Sequence, residues 1–446
     1  MAYPPATLGA GGWTVPRISG GVAHFTPDYS GIQSQDGPER PWLTDVTPAA
    51  HQLLRSGASV VGWSLTNNSG ASGSMAMDLN SPLGGPALKV TVPNNTGNVD
   101  LIASGLGIPN FTASAGKVVM HLYISDELGI KQWRPYVGPS GLGRNMDRTY
   151  NLSNNNLFRV NGHHIVDIHP DNATANTLLT TDELDTVRIR VSGQPAGGVF
   201  WVGGIYIPEP SAESWVVVTF DDADLSMYNR LFPIMRSRNL KFTLGINWDD
   251  VGTNDNLYLT TAQLDEMYAY GADVASHNRA NTAYPATNPP TAQPSDSDRL
   301  TYCTAYRYCR QQLIARGYTR AMGYHPFVQG AHDGALVDAM RAHGMRLARG
   351  ANNDLNVEPF RLDLQGIVSQ RSLGNSRSLS TAQGWLTQAR ARSQDVVLMG
   401  HVLADTAANS VTWAQADFET LIDTALANGH RVGSMSQWAQ ARGVVL

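Results

Sequence analysis

The chain has 446 residues and a net charge of −5, from 32 basic and 37 acidic side chains, which is too long for one core, since single cores stop growing beyond about 250–300 residues. Only 15% of the residues are charged, against roughly 25% in ordinary soluble domains; Gly, Asn, Ser and Thr fill the gap, as in loop-rich β-proteins. No long basic run marks a nucleic-acid partner, and no apolar stretch of about 18 residues marks a membrane span.

Residues 1–50 are rich in Gly, Pro and Ser, with isolated Trp13 and Trp42. They predict an extended N-terminal arm, with docking and a loose terminus as equal readings. The start, Met1-Ala2-Tyr3-Pro4-Pro5, lacks the basic-then-apolar pattern of a secretory signal.

Residues 51–207 read as β. Thr186–Val191 alternates apolar and polar residues, the period of a half-buried strand. Similar runs are Ala87–Val92, Val99–Ile102, Lys117–Ile124, Leu157–Ile168 and Gly198–Ile207, separated by Gly, Asn, Pro and Asp. Many short strands with turn punctuation predict a jelly-roll-like β-sandwich, structural or carbohydrate-binding. Pro208 and Pro210 end it and mark residues 208–213 as a linker.

Residues 214–446 change period. Strands are predicted at Ser214–Phe220, Lys241–Ile246, Met345–Ala348, Val396–Met399 and Arg431–Val432. Helices are predicted at Ser226–Arg238, with a kink or late start at Pro233, and at Thr260–Tyr270, Asp298–Arg316, Asp333–His343, Thr381–Arg392 and Ala414–Asn428. Alternating strands and helices mean parallel βα units, whose ligands sit at the C-terminal ends of the strands. The fold class is thus multidomain, β followed by α/β, and the second half is expected to fold without the first. Cys303 and Cys309 are too few for a disulfide framework and are read as reduced, partly buried thiols, with one local bridge as the other option.

Three strand ends carry chemistry. The apolar run Val216-Val217-Val218 leads through Thr219 and Phe220 into Asp221 and Asp222. Adjacent carboxylates at a buried strand end are costly unless a cation or a proton-transfer role compensates them. Helix capping by Asp222 or Asp224 is the simpler alternative, but capping needs only one Asp. His277 lies just past the segment Gly271-Ala272-Asp273-Val274-Ala275-Ser276, where it is a metal ligand or a hydrogen-bonded loop histidine. His401 comes after Val396-Val397-Leu398-Met399-Gly400, as a general acid or a surface histidine.

These residues resemble the NodB-like polysaccharide deacetylases, carbohydrate esterase family four. Thr219–Ala223 resembles the family's Thr-Phe-Asp-Asp-Gly, with Ala223 for Gly. His277–Asn281 has the spacing of its His-Ser/Thr-x-x-His, with Asn281 at the second His and Asn278 at the Ser/Thr. Tyr324-His325-Pro326-Phe327 resembles its Arg-bearing Pro-Tyr-Gly loop without the Arg, and Leu398–His401 resembles its late Leu-x-His with an extra Gly400. His343–Gly350 resembles the family's usual segment after that loop.

The resemblance implies a distorted (β/α) barrel over about residues 214–446. It implies one divalent metal, of the zinc kind, on Asp222, His277 and Asn281, polarising an acetyl carbonyl and acidifying its water. Asp221 would be the base and His401 the acid. The Phe327 N–H would hold the oxyanion. Tyr324 and His325 stand beside it as substrate or oxyanion residues. Trp248 lines a sugar subsite or simply packs. His325 or Arg349 would replace the missing Arg, and His325 and His332 are substitute ligands.

The expected activity is deacetylation of a bacterial surface polysaccharide, capsule or lipopolysaccharide. Together with the arm and the sandwich it suggests a phage tailspike enzyme in a virion tail or outside the cell. Such a protein would contact tail proteins through the arm and form a homo-oligomer, a trimer if a tailspike. The alternative is a non-catalytic receptor-binding or structural protein with a degenerate barrel, which Asn281 and the absent Arg favour.

Overall fold

The computed structural model describes residues 18–19, 22–23 and 52–446, except 93–96, 112–115, 125–129, 152–161, 171–172, 194–197, 209–212, 286–293, 351–355, 358–366 and 445. The chain divides into two compact units, residues 1–47 and 48–446. In the first, Ile18–Ser19 pairs antiparallel with Val22–Ala23; the rest of the expected arm lies outside the described residues, as does most of the expected linker.

The second unit begins with two antiparallel sheets. One runs Ala175–Asn176, Met146–Asp147, Ile130–Gly138, Thr186–Gly193, Asn98–Ala103 and Trp63–Asn68. The other runs Gly162–Ile168, Val118–Ile124, Gly198–Ile207, Ala87–Val92 and Ser74–Asp78, with Gln52–Ser56 also pairing Gly198–Ile207. Inward residues of both, including Val90, Leu101, Met120, Leu122, Val187, Ile189, Phe200 and Val202, form one buried core. The alternation seen in Thr186–Val191 is therefore the inward and outward faces of a sandwich strand.

Of the strands that escaped the sequence reading, two did so for clear physical reasons. Trp63–Asn68 is a largely exposed edge, so polar residues dominate it. Ile130–Gly138 lies inside its sheet but carries Pro135, which argues against a central strand. There Pro135 has no N–H to give, and its carbonyl still accepts from the Arg148 N–H at 3.2 Å.

The rest of the unit is parallel α/β. Besides the short parallel pair Val402–Ala404 and Thr412–Ala414, its strands are β1 Trp215–Asp221, β2 Thr243–Asn247, β3 Asp273–Asn278, β4 Tyr324–Pro326, β5 Leu347–Arg349, β6 Ile367–Val368, β7 Arg371–Ser372, β8 Val396–Gly400 and β9 Arg431–Gly433. The hydrogen-bonded order is β3-β2-β1-β8-β7 in one sheet and β4-β5-β6 in another, with β9 on the start of β1. Every one of these pairs is parallel. Strands 1 to 8 follow one another in chain order, with ladder breaks after β3 and after β6. This parallel arrangement, interrupted twice, makes the half α/β, as expected.

Helices α1 Phe232–Ser237, α2 Thr261–Tyr270, α3 Asp296–Ala315, α4 Gly334–Ala342, α5 Leu379–Arg392, α6 Gln415–Ala427 and α7 Met435–Ala441 accompany the strands. The helical run is continuous from Ser226: a π-helical turn at Met227–Leu231 leads into α1, and Pro233 lies in the first turn of α1 without breaking the run. Capping boxes at Thr260 with Gln263 and at Ser295 with Asp298 start α2 and α3. β1 is buried along its whole length. Burying Val216, Val217 and Val218 is worth about 1.5–3 kcal/mol each.

The sandwich meets the parallel half through a buried polar seam. The Lys117 ammonium, 5% exposed, donates to the Arg392 carbonyl at 2.7 Å, in the last turn of α5. A cation there matches the free carbonyls and negative end of the helix. Arg392 Nη1 returns a bond to Gly116 O at 3.1 Å, and Gln394 Nε2 reaches Asp167 Oδ2 at 2.8 Å. Lys117→Met keeps the stem and removes the charge-assisted bond. It is expected to cost about 1–3 kcal/mol, read as a lower urea midpoint of the full chain; an unchanged midpoint would mean the seam carries no stability.

Candidate active site

The site forms where β1, β2, β3 and β8 end. β1 is flanked by β2 and β8 in register, Phe220 opposite Leu244 on one side and Gly400 on the other. This brings Asp221, Asn247, His277 and His401 to one end of the sheet. Gly245 and Gly400 make the room. A Cβ on Gly245 would stand 2.6 Å from Asp221 Oδ1, and one on Gly400 would stand 2.6 Å from the Phe220 ring.

Asp221 is 2% exposed. Its Oδ2 accepts from Arg349 Nη2, at the end of β5. Arg349 is itself buried and donates from Nε to Tyr324 Oη at 3.0 Å and from Nη1 to Gln370 Oε1 and Gly350 O. The Arg missing from the fourth strand is thus supplied by the fifth. Tyr324 stands at the vacant place and holds the replacement. The other Asp221 oxygen, Oδ1, is buried and makes no hydrogen bond among the described residues.

Asp222 leaves the strand with φ 76°, and Ala223 comes next at φ 55°. Left-handed backbone at a residue with a Cβ costs roughly 1–2 kcal/mol, and such strain gathers at functional turns. The turn carries the Asp222 carboxylate over the ends of β2 and β3. Asn247 Nδ2 donates to Asp222 Oδ1 at 3.1 Å, and His277 Nε2 lies 3.4 Å from the same oxygen. His401 Nε2 lies 3.9 Å from Asp222 Oδ2.

A bulge aims His277. The β2–β3 register pairs Ile246 with Ser276 and then Asn247 with Asn278, leaving His277 as the extra residue. Its Nδ1–H donates to Pro326 O at 2.8 Å, which leaves Nε2 facing Asp222. Burial pushes the His277 imidazole down, but Asp221 and Asp222 outweigh it and raise its pKa above the ordinary value. Burial likewise pushes Asp222 up, and His277, His401 and Asn247 together bring it below the usual carboxylate range. His401 is lowered: burial outweighs the two carboxylates.

Asp222 and His277 fit a zinc-like ion. Two donors about 2.0–2.1 Å from a tetrahedral centre stand about 3.3–3.4 Å apart. The Nδ1–carbonyl bond of His277 is the usual support for a ligating imidazole. Asn281 is exposed, three residues past Asn278, whose φ is 106°. No three His, Cys, Asp or Glu side chains among the described residues are arranged as a ready metal cage.

Four further expectations are corrected. The Phe327 N–H donates to Arg349 O at 2.9 Å, so it is not offered to an oxyanion. Tyr324 is buried and serves Arg349, not a substrate. His325 has no exposed surface; its Nδ1–H donates to Ser276 O at 2.7 Å and its Nε2 accepts from Tyr302 Oη at 3.2 Å. It neither replaces the Arg nor faces substrate. His332 is buried and stacked on Phe327, with Nδ1–H on Gly330 O, so it is no substitute ligand.

Trp248 is half-buried against the core beside β2, which leaves both of its readings standing. Cys303 and Cys309 are buried free thiols on α3, each pushed up to about 11 by burial. Asn247 and Gln370 were missed. Asn247 ends a buried strand just as Asp221 does, so the strand-end rule alone points to it.

No family model matches the chain, and no curated protein matches it. Among solved structures it is similar to the chitin deacetylase of the fungal pathogen Colletotrichum lindemuthianum, at 16% identity and TM-score 0.35, over 51% of this chain and 88% of that one. It is similar to the Streptococcus pyogenes deacetylase PplD in complex with acetate, at 15% identity and TM-score 0.32, over 38% and 69%. It is also similar to a family 11 carbohydrate-binding module from Clostridium thermocellum, at 14% identity and TM-score 0.27, over 35% and 95%. At such scores the likeness decides neither fold nor activity.

His325 makes the fold acid-sensitive in a definite direction. Burial, with His277 adding to it, lowers its pKa to about 3, while in the unfolded chain it titrates near 6.5. Below pH 6.5 the unfolded state gains a proton that the folded state refuses, so stability falls as pH falls, down to about 3. Between pH 6.5 and 5 this one group removes about 2 kcal/mol. In His325→Gln, urea midpoints measured at pH 7, 6 and 5 should fall less steeply than in the wild type; an equal slope would place the acid sensitivity elsewhere.

Proposed function

We propose that the chain is a metal-dependent deacetylase of an acetylated polysaccharide. The observation that carries this reading is the state of Asp221. One oxygen is tied to Arg349, and the other is buried, without a hydrogen bond among the described residues, and beside the Asp222–His277 pair. A purely structural ion pair gains nothing from leaving one carboxylate oxygen without a partner.

Asp222 and His277 would hold the ion, which supplies a Lewis acid that polarises the acetyl carbonyl and acidifies water. Arg349 fixes the Asp221 carboxylate in rotation. Its free Oδ1 then accepts the proton of the attacking water. His401 Nε2, on the other side of Asp222, donates a proton to the leaving amine or alcohol. The Nδ1 of His401 is buried without a hydrogen bond among the described residues, so Asp222 is the group that steers this ring. The substrate class is a bacterial surface glycan, with the virion tail as the setting we propose; the uncharged polar composition supports an extracellular surface.

The second reading is a non-catalytic binding protein, favoured by the exposed Asn281 and by the lack of a three-carboxylate-or-imidazole cage among the described residues. Acetate release from acetylated polysaccharides, with and without chelator, separates the two. Release that stops with chelator and returns with zinc supports the enzyme. Glycan binding with no release by the metal-loaded chain supports the binder. Asp221→Asn should retain the fold and lose acetate release by on the order of 10²–10⁴-fold, the worth of a general base. A mutant within a few-fold of wild type would assign the proton to another group.

A further inference from the structure

We propose that the third protein donor to the divalent ion is the side-chain oxygen of Asn247, not that of Asn281. The proposal rests on the reading of Asp222 and His277 as metal ligands. Asn247 is the last residue of β2 and has no exposed surface. Its amide nitrogen stands 3.1 Å from Asp222 Oδ1, the same oxygen that His277 Nε2 approaches at 3.4 Å. Three side chains from three neighbouring strand ends therefore converge on one point.

The amide nitrogen is used as it stands, but the oxygen is not. Asn247 Oδ1 is buried and accepts no hydrogen bond among the described residues. A buried carbonyl oxygen left unpaired is costly. A half-turn about the last side-chain bond exchanges two nearly isosteric atoms and puts the oxygen where the nitrogen is. Without a cation that turn would set two oxygens 3.1 Å apart and repel them. With a cation it pairs the orphaned oxygen and leaves donor separations near those of ligands about 2.0–2.2 Å from a common ion.

The charge around the amide asks for that cation. Asp222 accepts from Asn247, and Asp250, three residues on, adds a further carboxylate whose pKa the Asp222 charge helps to raise, after burial. Asp221 lies next in the chain to Asp222, and Arg349 is already committed to it. Asn281 shares none of this: it is on the surface, past the turn at Asn278. An asparagine oxygen is a weaker zinc ligand than imidazole, so the site should favour oxygen-tolerant ions such as cobalt or manganese more than a two-histidine site does.

The test is zinc and cobalt titration of the full chain by calorimetry, with visible spectra of the cobalt form. The wild type should bind one ion. Asn281→Ala should bind within threefold of it, and Asn247→Ala should bind at least 100-fold more weakly. Asn247→Asp, nearly isosteric and able to fold where alanine is not, should bind more tightly and shift the cobalt d–d bands; a residue that only positions Asp222 would leave those bands in place. Asn247 variants with wild-type affinity and spectrum, or loss of the ion in Asn281→Ala, overturn the assignment while leaving Asp222 and His277 as ligands. A wild-type chain that binds neither ion overturns both.

Discussion

Asp221 and Arg349 form a buried ion pair, and the rest of the site is arranged around it. Taking both charges out of water costs several kcal/mol per ion, so the pair stands only with its remaining groups well placed. Tyr324, Gln370 and the Gly350 carbonyl accept from the guanidinium as well. Gly245 leaves the volume that the carboxylate fills. Removing Arg349 would strand a buried carboxylate, and removing Asp221 would strand a buried guanidinium. The pair also joins the two parallel sheets, since β1 belongs to one and β5 to the other.

Around this rigid centre the backbone is irregular where a side chain must be aimed. Asp222, Ala223 and Asn278 have positive φ without being glycine, and the β2–β3 bulge isolates His277. Each departure comes at the end of a regular buried strand and precedes a loop. The strands bury the apolar surface that offsets the strain, and the turns spend part of that stability on direction. Asp222 is the product: its two oxygens face His277 and Asn247 on one side and His401 on the other.

Strand ends were legible because the physics is local. A run such as Val216–Phe220 is apolar only if it is buried, and the first polar residues after it must lie at its end. The same logic located His277 and His401. What depended on topology was harder. Arg349 was one of two candidates for Asp221, and 128 residues separate the pair; only the parallel order of the strands decides between them. Asn281, expected from motif spacing, is exposed and follows the positive-φ residue Asn278, which spacing alone does not reveal. Asn247 was passed over for its aromatic neighbour Trp248. In the sandwich, Pro135 hid a central strand, and the exposed polar edge Trp63–Asn68 lacked the apolar alternation that betrays strands.

The position of the sandwich bears on what it does. Its seam residues touch the C-terminal end of α5 and Gln394, which lies just ahead of β8. Ser214, just ahead of β1, donates to Gln394 O at 2.6 Å, and Asp395 ties β1 to α7 by accepting from the Trp215 N–H and from Trp438 and Arg442. These are the N-terminal ends of the strands, opposite to Asp221, His277 and His401. In parallel barrels that face carries stability and the other carries chemistry. None of the hydrogen bonds and ion pairs described at the site comes from a sandwich residue. The sandwich therefore packs against the parallel half at the strand starts, away from Asp221, His277 and His401.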